Sequence, residues 1–92
     1  MIDPPFPNPG STIQYALNAP SSVKLEVYNI LGQRVRKLLD EDQPAGTFNI
    51  AWNGKNDRGV AVSSGTYIIR LLTTEKDKNR VKQFTSKLVI QK

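Results

Sequence analysis

From Val23 to Val27 apolar and charged residues take strict turns, with Val23, Leu25 and Val27 against Lys24 and Glu26. This period of two marks a strand buried on one face. Short segments rich in Val, Ile, Leu, Tyr and Thr recur along the chain, separated by turn residues at intervals of roughly 8 to 12, and no segment shows a helical period. Thr12 to Leu17 places Ile13, Tyr15 and Leu17 on one face, and Val23 runs on through Ile30 to a turn at Leu31, Gly32 and Gln33. Arg34 to Leu39 reads as a weaker strand. Asp40 to Gly46 reads as a polar loop that Pro44 and Gly46 keep out of any sheet. Phe48, Ile50 and Trp52 resume the alternation, Val60 to Val62 reads as a short edge strand, and Thr66 to Thr73, apolar on both faces except at Arg70, as a central one. In a long final strand Phe84, Leu88 and Ile90 share a face with Ser86. The expected fold is all-β, an immunoglobulin-like or fibronectin-like two-sheet antiparallel β-sandwich of about seven strands. Four of the six prolines fall in residues 1–10, which read as a Pro-rich linker or arm leading into one domain over 11–92.

What the 92 residues lack bears on chemistry. The chain contains no Cys and no His, which excludes zinc fingers, thiol nucleophiles and Ser-His-Asp triads, and leaves stability to packing. Asp40, Glu41 and Asp42 cluster, but neighbours on a solvated loop point apart and nothing splits their pKa values, so no catalytic residue is assigned and the chain is expected not to be an enzyme. Asn53 to Gly59 has the Asn and Asp oxygens of a calcium loop, yet Lys55 stands at the third position, where an oxygen ligand is needed. A β-turn capped by its own Asn and Asp side chains is expected there, with no metal and no cofactor. All five excess positive charges lie after residue 69, where Arg70, Lys76, Lys78, Arg80, Lys82, Lys87 and Lys92 face only Glu75 and Asp77. With Phe84 the one aromatic among them, the stripe is read as lysines protecting an edge strand rather than as a nucleic-acid surface. The opening residues lack the basic and apolar regions of a signal peptide, so any export signal is expected elsewhere in a longer polypeptide.

Several ordered blocks carry a family resemblance. Phe6-Pro7-Asn8-Pro9, then Leu25 to Val35 with Val27, Tyr28, Gly32 and Gln33, then Ala45-Gly46, Trp52-Asn53-Gly54, Gly59, Ser64 to Leu71, and Lys87 to Lys92 together resemble the type IX secretion C-terminal sorting domain, type A, and equally the FlgD-like immunoglobulin domain. The long hairpin from Trp52 to Gly65 is closer to the FlgD-like variant. The resemblance implies a non-catalytic accessory β-sandwich, secreted or displayed at the cell surface via the periplasm. An outer-membrane secretion machinery would read it, and it would carry a covalently linked upstream cargo. Under that implication the recognised residues are Gly65, Tyr67, Arg70, Lys87, Leu88, Val89, Ile90 and Lys92. The leading expectation is therefore a sorting domain whose last strand is read by β-augmentation. The alternative is a structural or adhesive FlgD-like module, monomeric and without nucleic acid or metal, and a carbohydrate-binding module stands third because few aromatics are left to form a sugar platform.

Overall fold

The computed structural model describes residues 2–3 and 11–91. Those residues form two antiparallel sheets and no helix. One sheet has the order β1-β2-β5, built from Ile2–Asp3, Ser11–Leu17 and Gly46–Trp52. The other has the order β4-β3-β6-β7, built from Arg34–Gln43, Ser21–Asn29, Gly65–Glu75 and Arg80–Ile90. β6 is central, as its two apolar faces predict.

The core sits between the sheets. Ile13, Tyr15, Leu17 and Trp52 enter from one side, and Val23, Leu25, Val27, Tyr67, Ile69, Leu88 and Ile90 from the other, with Val62 closing one end. Each but Val62 is an inward residue of an alternating strand, and full burial of such a side chain contributes about 1.5 to 3 kcal/mol. Trp52 and Tyr67 meet edge-on across the layers, ring centroids 5.8 Å apart.

Three expectations are corrected. The segment expected to be a loop from Asp40 continues β4 to Gln43. Ser22 donates to Asp42 Oδ1 at 2.8 Å, Lys76 pairs with Asp42, and the Tyr15 hydroxyl donates to Gln43 Oε1 at 2.5 Å. These partners, distant in sequence, override a loop-like composition. Second, Val60 to Val62 is no strand; it keeps a single bridge, Lys55 to Ala61. Its amides turn back on the loop, Val60 N donating to Asn56 Oδ1 and Val62 N to Gly54 O. Six strands of seven to eleven residues therefore form, beside the two-residue β1. Third, Phe84 is on the inward face of β7 but 54% exposed. Among the described residues, the sheet opposite it is narrower on that flank, where β1 pairs with Thr12 and Ile13.

Candidate binding surface

The solvent-facing side of the four-stranded sheet holds one organised cluster of ionisable groups. Glu26 lies between inward Leu25 and Val27, so its side chain points outward, yet the residue is only 4% exposed. Arg70 donates to Glu26 Oε1 at 2.8 Å, the Tyr28 hydroxyl donates to the same oxygen at 2.9 Å, and Arg34 reaches Oε2 at 3.5 Å. The Arg70 guanidinium lies over the Tyr28 ring, 5.0 Å from its centroid. Burial works to raise the Glu26 pKa, but the hydrogen bonds from Arg70, Tyr28 and Arg34 and the charge of Arg70 together outweigh it and hold the carboxyl below its usual range. Burial, then the bond to Glu26 and its charge, push the Tyr28 hydroxyl up. The arrangement locks β3, β4 and β6 together through charge; it has no poised acid and base pair.

The block from Val27 to Gln33 builds a turn. Asn29 Oδ1 accepts from the amides of Leu31 and Gln33, both at 3.0 Å, and its Nδ2 donates to Gln33 Oε1 at 2.9 Å. Gly32 takes a φ of 83°, open to glycine at little cost. Val27 is in the core and Tyr28 on the outer face, while Ile30 and Leu31 stand at the tip, exposed. In the 53–59 loop the oxygens that resemble calcium ligands are engaged by amides. Asn53 Oδ1 accepts from Lys55, Asn56 Oδ1 from Arg58 and Val60, and Asp57 Oδ1 from Lys37. Gly59 turns the loop with a φ of 79°.

The residues singled out for recognition separate into two groups. Tyr67, Leu88 and Ile90 are buried, Tyr67 donating its hydroxyl to Ser63 O at 2.7 Å. Gly65 opens β6 opposite Ile90. Arg70, Lys87 and Val89 share the outer face, because Ile68 and Lys87, Arg70 and Thr85, and Thr66 and Val89 are register partners. Of the family blocks, Trp52 and Gly54 are buried and Trp52 Nε1 donates to Lys55 O at 2.9 Å. Phe6, Pro7, Asn8, Pro9 and Lys92 lie outside the described residues. Sequence reasoning missed Glu26 as a buried anion and the open flank at Phe84. The flank had a signal in Lys82 and Ser86, polar neighbours of Phe84 on the same face, which mark a stretch that another sheet does not cover.

Two antiparallel sheets around an apolar core, with the main charge cluster engaged in joining strands, define an all-β module. The family model of the FlgD Ig-like domain matches residues 9–77, and the chain belongs to that family. Among solved structures it is similar to FlgD from Pseudomonas aeruginosa, at a TM-score of 0.69 and 24% identity, over 88% of this chain and 61% of that one. FlgD from Xanthomonas campestris, described in connection with hook capping essential for flagellar assembly, gives 0.68 and 21%, over 87% of this chain and 56% of that one. These likenesses are of fold, and the chain spans about three fifths of the length of the FlgD chains it matches. No curated protein sequence matches the chain.

Proposed function

We propose that the chain is a non-catalytic, immunoglobulin-like β-sandwich that serves as a structural or protein-interaction module of a larger protein, monomeric in itself and placed beyond the cytoplasmic membrane. The observation that carries this reading is the FlgD Ig-like match over residues 9–77, joined to a two-sheet fold shared with FlgD. The Tyr67 hydroxyl, bonded to the backbone four residues upstream at the start of β6, is in keeping with the tyrosine corner of immunoglobulin-like sandwiches.

The two expectations drawn from the sequence now stand in a different order. Family and fold comparisons favour the FlgD-like module over the type IX sorting signal. The terminal block that argued for sorting has a structural explanation, since Leu88 and Ile90 are 1% exposed and close the core. Fusing residues 1–92 behind a periplasm-targeted reporter, in a bacterium with a type IX system, separates the readings. The module reading predicts a folded fusion retained in the periplasm. Delivery to the surface or medium, lost when Lys87 and Gln91 are substituted, would restore the sorting reading.

A further inference from the structure

The sandwich does not account for the outward side chains of β6. Tyr67 and Ile69 point into the core, so Ile68 and Arg70 point out. A strand on the solvated face of an antiparallel sheet alternates to polar residues there, and a central position covers a strand's edges rather than its outer face. Ile68 pairs with Tyr28 on β3 and Lys87 on β7, and Tyr28 pairs in turn with Arg34 on β4. One row across the sheet therefore reads cation, aromatic, aliphatic, cation. Toward the Gly32 end the apolar surface goes on, with Val89 46% exposed on the same face and Ile30 and Leu31 at the tip of the adjoining turn, 74% and 79% exposed. Polar residues are the usual choice for such a tip. The turn needs neither aliphatic side chain for its shape, because Asn29 Oδ1 fixes it by accepting from the amides of Leu31 and Gln33. Both are presented on backbone that is already ordered, which lowers the cost of binding through them.

Charge and geometry specify the occupant. Lys87 makes no ion pair among the described residues, and Arg34, its side chain 47% exposed, holds Glu26 and Asp57 only at 3.5 Å. Glu26 also serves as the anion of Arg70. Positive charge open to further carboxylates thus borders the apolar row on both sides. The backbone groups of β3 and β6 are engaged by their neighbours in the sheet. A segment laid on this face gains no main-chain bonds from it and must satisfy its own, as a helix does. Three strand spacings put Arg34 and Lys87 roughly 14 Å apart across the sheet, room for a helix about 10 to 12 Å in diameter. A second copy of the chain has no helix to supply among the described residues.

We propose that the outer face of the four-stranded sheet seats an amphipathic helix of a partner protein, laid along β3 and β6, with its aliphatic stripe on Ile30, Tyr28 and Ile68 and its bordering carboxylates on Arg34 and Lys87. The proposal rests on the interaction-module reading and names its partner class. The reporter fusion reads delivery rather than binding, so the two can fail separately.

The test is an NMR titration of the isotopically labelled chain with three synthetic peptides of about 18 residues. The first carries leucines at i, i+3, i+4 and i+7 spacing with glutamates on both borders of the stripe; the second has lysines in place of the glutamates; the third keeps leucines and glutamates but is broken by central prolines. The first is expected to bind with a dissociation constant below about 1 mM, shifting the amides of Tyr28, Leu31, Ile68 and Lys87. The other two should bind at least about tenfold more weakly. Lys87→Glu should narrow the preference for glutamate over lysine, and Ile30→Ser should weaken the first peptide severalfold; both sites are exposed, and circular dichroism checks that the variants fold. Equal binding of the glutamate and lysine helices, undiminished binding of the proline peptide, shifts confined to the inward face or the flank at Phe84, or no binding at millimolar peptide would overturn the proposal.

Discussion

Trp52 is 1% exposed, packs edge-on to Tyr67 and satisfies its indole N–H on Lys55 O. Trp52→Ala is expected to destabilise the chain by about 3 to 5 kcal/mol in equilibrium denaturation, through lost burial and a cavity the sheets cannot close. A loss under about 1 kcal/mol would mean the indole is not packed between the layers. Glu26 gives a second prediction. Its folded pKa lies below the unfolded value, so its contribution is present above about pH 4.3 and is lost as pH falls through the folded pKa. Glu26→Gln should cost about 2 kcal/mol at neutral pH, since it leaves Arg70 and Arg34 without their anion, and should flatten the acid limb of the stability curve. Tyr15 and Tyr28 act on the other limb: burial raises both. Their contribution is full below about pH 10 and falls as pH rises through the folded values. Trp52 was legible in the sequence because alternation with Phe48 and Ile50 fixes its face. Glu26 was not, since the same alternation places it outward, and only Arg70, forty-four residues away, together with Tyr28 and Arg34, explains its burial.

Strands with regular alternation were legible, and strands made by distant partners were not. β2, β3 and β6 follow their sequence patterns, and the turn at Gly32 has the positive φ its residue type predicts. The end of β4 has no apolar pattern; it exists because Ser22, Lys76 and Tyr15 meet it. The Tyr15 bond to Gln43 ties β2 to β4 across the layers, so Tyr15→Phe and Gln43→Ala should each destabilise by about 1 kcal/mol and couple in a double-mutant cycle. Strict additivity would show that the bond does not hold the end of β4. For the candidate surface, residue identity alone could not separate Arg70, Lys87 and Val89, which face solvent, from Tyr67, Leu88 and Ile90, which build the core; pairing and alternation around β6 and β7 make that division.

At the scale of the molecule, the net charge of +5 comes from the residues after 69, and three of those cations stand on β7. β7 carries Arg80, Lys82 and Lys87 and has no strand beyond it among the described residues, and such charges discourage association of two such edges. The core draws on both sheets and on the loop before β6, and no strand is stable without the rest, so the chain is expected to unfold as one unit. Its single tryptophan lies in that core and reports on it directly. The decisive measurement is denaturant unfolding of residues 1–92 followed at once by Trp52 fluorescence and far-ultraviolet circular dichroism. A self-sufficient module predicts blue-shifted native emission and one coincident, reversible transition by both probes. Emission like that of free indole before denaturant is added, or two transitions that separate, would contradict it.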